Sequence, residues 1–286
     1  MKNILPILFL LSLFACRKEN SEVDPGPGPD SVSVDVSYGN DSAQMMDVYL
    51  PAERNAATTR FMVLIHAGRW KDGDKSQFTG FVDSLRKRFP SWAFFNVNYR
   101  LYKDGKNVFP TQENDIKAAL EFILNKSAEY QVSKTHVLIG ASAGGHLALL
   151  QAYKNSTVPP KAVVSFFGPT DLAALYKEAT DLYVQISLTA LTGTTPQLHS
   201  DTYRQSSPIQ FVNSKSCPTL ILHGDKDPMV PVSQSQLLKA KLDHEGVANE
   251  LVVYPGLGHG WVGSPLTDSF NHLEAFLHQY LPRMLR

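Results

Sequence analysis

Residues 135–150 read "THVLIGASAGGHLALL", and the reading of this stretch decides the fold. The apolar run "HVLI" meets a block of small residues around one serine, Ser142, and a Leu/Ala-rich segment of helical character follows. Gly140-Ala141-Ser142-Ala143-Gly144 fits the pattern G-x-S-x-G. The bare pattern arises by chance in roughly one chain of this length in ten, so its weight comes from context. Here it stands between a strand and a helix, where a sharp turn strains the serine and lifts its hydroxyl above the sheet. A side chain at 140 or 144 would collide with the neighbouring turn, hence the glycines. The N–H of Ala143, at a helix N-terminus, is set to donate to a developing oxyanion. Tight strand–helix packing alone explains small residues but fits this context less well than a nucleophilic serine.

Outward from this turn, short β-branched or aromatic runs recur: "RFMVLIHAG", "WAFFNVNYR", "KAVVSFFG", "PTLILHGD" and "ELVVYPG". Each ends in Gly or a polar turn, as strands buried on both faces of a parallel sheet do. Between them lie the helical segments "FTGFVDSLRKRF", "TQENDIKAALEFILNKSAEY", "VSQSQLLKAKLDHEG" and "FNHLEAFLHQYLP". Upstream, "SVSVDVSYG" alternates with period two and "MMDVYLP" continues a strand pattern, so the domain opens with antiparallel strands. The alternation predicts an α/β fold: a mostly parallel sheet of about eight strands with helices on both faces.

Composition sets limits. The chain has 286 residues with 27 basic and 27 acidic side chains, which gives no argument for nucleic acid or another anionic partner. Its two cysteines, Cys16 and Cys217, make no disulfide framework, and Cys217 reads as buried filler. The N-terminal "MKNILPILFLLSLFAC" has a positive start at Lys2 and an apolar stretch, Ile4 to Phe14, too short to span a membrane and suited to a signal-peptide core. Ala15 before Cys16, with Leu13 two positions further back, resembles the lipobox of bacterial lipoproteins. That resemblance implies a signal peptide over 1–15 and lipidation at Cys16, anchoring the protein to the cell envelope. An ordinary secretory signal is the other reading. Residues 16–31 carry "RKENSEVDPGPGPD", a polar and Pro/Gly-alternating tether, and a globular domain is expected over 32–286.

A serine hydroxyl needs a base and an orienting carboxylate to become a nucleophile. After "PTLILHG" the chain offers Asp225 or Asp227, and after "ELVVYPG" it offers His259 between two glycines. Serine, carboxylate and histidine thus follow in that order, on loops beyond later strands.

With these motifs in view the chain resembles an α/β-hydrolase of the esterase/lipase superfamily, close to its acetyl-esterase, feruloyl-esterase and arylformamidase-like branches. The resemblance runs from about residue 38 to the C-terminus and rests on "YGNDSAQMMDVYLP", "NVNYRL", "FPTQENDIKAALEFI", "IGASAGGHLAL" and "ILHGDKDPMVP" with "YPGLGHGW". It implies Ser142 as nucleophile and His259 as base. The carboxylate that precedes the "xxVP" turn in the family pattern corresponds to Asp227. In place of an H-G-G-G-W-like stretch stands His66-Ala67-Gly68-Arg69-Trp70. Gly68 and Arg69 are therefore the expected main-chain oxyanion donors with Ala143. The Arg69 side chain either enters the cleft, favouring an acidic or sugar-linked substrate, or lies in solvent.

The expected activity is hydrolysis of small or carbohydrate-linked carboxylic esters, acetyl or feruloyl, without metal or organic cofactor. Residues 171–206 form an expected cap-like insertion whose Leu and Tyr side chains either line an acyl pocket or pack the insertion down. Trp70, Tyr102 and Trp261 neighbour the site in sequence and are expected either to stack on substrate or to wall the cleft. A prolyl-oligopeptidase-like peptidase, an arylformamidase and an inactive surface binding module are the alternatives.

Overall fold

The computed structural model describes residues 28–155, 157–179 and 181–281. The expected signal peptide, Cys16 and the tether up to residue 27 lie outside the described residues. At the described start, Gly28 bridges Arg54 and Asp30 pairs with Arg86, so residues 28–30 lie against the domain.

Eight strands form one sheet: β1 Ser31–Ser37, β2 Met45–Leu50, β3 Phe61–Ile65, β4 Ala93–Val97, β5 His136–Ala141, β6 Ala162–Phe166, β7 Thr219–Gly224 and β8 Asn249–Tyr254. Their order is β1-β2-β4-β3-β5-β6-β7-β8. Pairing is antiparallel for β1 with β2 and for β2 with β4, and parallel elsewhere. The expected α/β-hydrolase architecture is present. One run read as buried on both faces differs: β8 is half-exposed along most of its length, and β1, read as alternating, is largely exposed. Each is an edge strand, a position that composition does not encode.

Alternation along the strands sends side chains to two cores. On one face Phe61, Val63, Ile65, Leu138 and Ile221 meet helices α2 (Thr111–Asn125), α4 (Ala143–Tyr153) and α8 (Ser233–His244). On the other, Met62, Leu64, Ile139, Val164 and Leu222 meet α1 (Thr79–Arg88) and α9 (Ser264–Tyr280). Helix α4 is buried from Ala143 to Ala152, which explains its apolar character on every side. The segment expected as one helix over 111–130 breaks at Lys126 into α2 and a single turn, α3 (Ser127–Tyr130). Helix α9 starts earlier than its apolar pattern suggested, with Pro265 in the first turn, where a missing N–H does no harm.

Between β6 and β7 the chain forms α5 (Leu172–Glu178), α6 (Leu182–Thr192) and α7 (Ser200–Gln205). Asp171 caps α5 and Asp181 caps α6 through their carboxylates. Leu172, Leu175, Leu188, Leu191 and Tyr203 are buried and hold this insertion down, while Leu182, Tyr183, Ile186 and Leu198 stay exposed. The packing alternative therefore holds for the buried side chains of the insertion. Cys217 is buried, and burial pushes its thiol up to about 12. Among the described residues no helix is long and apolar enough to cross a membrane, and no cluster of His, Cys, Asp and Glu has metal-binding geometry.

Three buried histidines set a pH limit on the fold. Burial pushes His66, His136 and His146 each down to about 4, whereas an unfolded histidine titrates near about 6.5. Below that value the unfolded chain binds more protons than the folded one. Stability is therefore complete above about pH 6.5 and drains as pH falls, by up to about 1.4 kcal/mol per pH unit for each histidine. The melting temperature is expected to fall steadily from pH 6.5 to 4.5; a flat profile across that window would contradict this account.

Candidate active site

The site lies where β3, β5, β6, β7 and β8 end. Ser142 sits between β5 and α4 with φ 52° and ψ −120°, a left-handed backbone unusual for a residue with a side chain. Its N–H donates to the Phe166 carbonyl at 2.8 Å, and its own carbonyl accepts from the His146 N–H at 3.0 Å. The flanking glycines are obligatory: a Cβ on Gly140 would lie 2.1 Å from the Gly144 carbonyl oxygen, and one on Gly144 would lie 2.0 Å from that of Ile65. Gly144→Ala is expected to destabilise the protein by about 3 kcal/mol, since only backbone movement relieves that overlap. Urea denaturation measures it, and an unchanged midpoint would contradict the contact.

Asp227 follows β7. Its Oδ1 accepts from the N–H groups of Met229 and Val230, both at 2.9 Å, leaving Oδ2 to face the base. His259 follows β8, and its Nδ1 lies 2.6 Å from Asp227 Oδ2 while its Nε2 lies 2.8 Å from Ser142 Oγ. A carboxylate can only accept, so Nδ1 carries the proton and Nε2 presents a lone pair to the serine O–H. Burial alone would raise the Asp227 pKa. Hydrogen bonds from His223, His259 and the Val230 N–H outweigh it, with the attraction of His259, and hold the carboxyl well below the usual range. Asp225 is not part of this chain of contacts; its Oδ1 accepts from the Gly256 N–H at 2.6 Å and pins a turn.

The loop after β3 abuts this turn, because the Gly144 position meets the carbonyls of Ile65 and His66. Ile65 and His66 lead through Ala67 into Gly68 and Arg69. Gly68 has φ 120°, and Arg69 and Trp70 follow at 54° and 60°. The Gly68 carbonyl accepts from the N–H groups of Lys71 and Asp72 at 3.1 and 2.8 Å, closing a tight turn. The Arg69 side chain is 41% exposed and pairs with Asp72 at 3.3 Å.

Trp70 corrects an expectation. It is 4% exposed and its indole N–H donates to His146 Nδ1 at 3.1 Å, so its ring is part of the interior and not a face open to substrate. Tyr102 and Trp261 are half-buried. The Tyr102 N–H donates to the Trp70 carbonyl at 2.9 Å. The Trp261 indole donates to Ser269 Oγ at 2.9 Å, and its ring packs on Phe167 and Tyr254.

Two residues of the site escaped the sequence reading. Phe167, with φ 42°, sets its ring 4.7 Å from that of His259 in an edge-on contact. His223 donates from Nε2 to the Val230 carbonyl at 2.7 Å and lies 3.4 Å from Asp227 Oδ2. Residues 69, 70, 142 and 167, all in left-handed backbone, follow three neighbouring strands, so backbone strain gathers where the reactive side chains meet.

Comparison with known proteins identifies a family and a shared fold. The BD-FAE family profile matches residues 46–242. Esterase LipC of Mycobacterium tuberculosis is 25% identical over 242 residues, spanning 79% of this chain and 59% of LipC. The chain thus covers little more than half the length of the curated relatives it matches. A solved Bacteroides eggerthii protein described as bifunctional GH43-CE superposes with a TM-score of 0.73 at 26% identity, covering 85% of this chain and 38% of that one. A truncated carbohydrate esterase from gut microbiota superposes with a TM-score of 0.72 at 24% identity, covering 87% and 99%, which speaks to the fold.

Proposed function

Because the chain belongs to the BD-FAE family, we propose that it is a serine hydrolase of carboxylic esters, with Ser142, His259 and Asp227 as nucleophile, base and orienting acid. The observation that carries this reading is the unbroken chain of contacts from Ser142 Oγ through the His259 ring to Asp227, at 2.8 and 2.6 Å. His259 Nε2 takes the hydroxyl proton as Oγ attacks the ester carbonyl. Asp227, held ionised, stabilises the imidazolium that forms. The main-chain N–H groups of Ala143 and of Gly68 or Arg69 receive the oxyanion, each donor contributing about 3–4 kcal/mol in enzymes where one has been removed. The imidazolium then protonates the departing alcohol, and water hydrolyses the acyl-enzyme by the same route.

The preferred substrates are carbohydrate-linked acetyl or feruloyl esters. The similarity to proteins described as carbohydrate esterases supports this, as do the half-buried rings of Tyr102 and Trp261 beside the site. A fluorophosphonate probe should label the protein at Ser142. Turnover should appear on acetylated xylan or feruloylated arabinoxylan ahead of N-formylkynurenine and dipeptide amides. Labelling without any ester turnover, or a preference for the amides, would overturn the reading.

The same proposal places the domain at the bacterial cell envelope, held by lipid on Cys16. The lipobox-like "LFAC" and the Pro/Gly-alternating tether support it. Cys16→Ala is expected to move the protein from the detergent phase to the aqueous phase on Triton X-114 partition. Equal partition of both forms would remove the anchor from the account.

A further inference from the structure

His146 takes no part in the chemistry above, yet it is fully buried in the first turns of the nucleophile helix α4. An imidazole in such a place is unfavourable unless both ring nitrogens find partners. Its Nε2 lies 2.6 Å from the carbonyl of Ser206, at the end of α7 in the insertion. A carbonyl only accepts, so Nε2 carries the proton. Its Nδ1 then offers a lone pair, and the Trp70 indole, a donor only, fills it at 3.1 Å. The rings meet edge-on with centroids 5.1 Å apart. Each partner fixes the same tautomer, and burial, which pushes His146 down to about 4, keeps the ring neutral.

What this contact holds is the oxyanion loop. Gly68, Arg69 and Trp70 occupy three successive positive-φ positions, at 120°, 54° and 60°. Left-handed backbone at two residues with side chains persists only where the surroundings over-determine it. The Trp70 carbonyl is tied to the Tyr102 N–H and the Gly68 carbonyl to Lys71 and Asp72. The Trp70 indole is the tie that reaches across to the helix bearing Ser142.

We propose that His146 is a positioning residue for ester hydrolysis: it clamps the Trp70 indole between the nucleophile helix and the insertion, and so holds the amides of Gly68 and Arg69 in register with Ala143. The inference rests on the proposed esterase reading. It predicts a loss confined to the tetrahedral state, because substrate touches the loop less tightly than the oxyanion does.

The test compares wild type, Trp70→Phe, His146→Asn and the double variant on p-nitrophenyl acetate, with a trifluoromethyl ketone as tetrahedral-adduct inhibitor. Trp70→Phe keeps an aromatic ring and deletes only the donor. The expected result is a fall in kcat of about tenfold with KM within about twofold, and an inhibition constant raised by the same factor as kcat falls. The double variant should be no worse than the worse single one, since one contact is lost in each. Unchanged kcat in Trp70→Phe, an unchanged inhibition constant, a rise in KM alone, or multiplicative single effects would each overturn the proposal. If His146→Asn does not fold, Trp70→Phe decides through kcat and the inhibition constant together. Failure of the wild type to turn over the ester or to take up fluorophosphonate at Ser142 would sink the esterase reading itself, a result separate from any of these.

Discussion

Ser142→Ala is expected to lower kcat on p-nitrophenyl acetate by about 10⁶-fold, to the level that binding and main-chain donors sustain without a nucleophile. The magnitude follows from the unity of the site: with Oγ gone, the His259 lone pair has no hydroxyl proton to take and no acyl-enzyme forms. The fold should be indifferent, because the substitution removes one oxygen while the backbone bonds of residue 142, to Phe166 and from His146, remain. Alanine meets the same left-handed backbone that serine already occupies. Melting temperature and fluorophosphonate labelling complete the measurement. Turnover near wild type in a folded variant would end the assignment of Ser142.

The second large effect belongs to Asp227→Asn, expected to lower kcat by about 10⁴-fold. Oδ1 of Asp227 accepts from two backbone N–H groups, so an asparagine keeps its carbonyl oxygen there. Its amide NH2 then faces His259 Nδ1, and a donor opposite that nitrogen forces the imidazole proton onto Nε2. A protonated Nε2 cannot take the Ser142 proton. The loss therefore comes from a reversed tautomer within an intact loop, and KM should change little. Asp225→Asn provides the contrast. Its carboxylate touches the Gly256 N–H and not the imidazole, so kcat should hold within about threefold. A larger loss at 225 than at 227 would reverse the choice between the two carboxylates.

Much of this was legible in the chain because strands buried in a parallel sheet leave a local mark. The runs at β3 to β7 are continuous, β-branched and closed by glycine or a turn, and each formed a strand. The serine turn was legible for a similar reason: its glycines answer contacts within a few residues or with the adjacent strand end. Trp70 was misplaced because its burial depends on His146, 76 positions away. A tryptophan after a loop glycine carries no local mark of that partner. Phe167 went unread because its residue type disfavours the left-handed backbone it adopts, which neighbouring strands impose. His223 sits inside a strand-like run, and its contact with Asp227 depends on how the following turn folds back. The exposure of β8 was hidden because "ELVVYPG" reads like its buried neighbours, and only sheet order makes it an edge.

That edge has a consequence for how the molecule fails. The serine follows β5, flanked on both sides and wholly interior, whereas the imidazole hangs beyond β8, which has β7 on one side and, among the described residues, no strand on the other. Fraying at such a margin needs less free energy than dissolving the centre of the sheet. Mild stress therefore separates base from nucleophile while the bulk of the architecture persists. A molecule disabled this way returns to work by redocking one loop, a far shorter journey than folding anew.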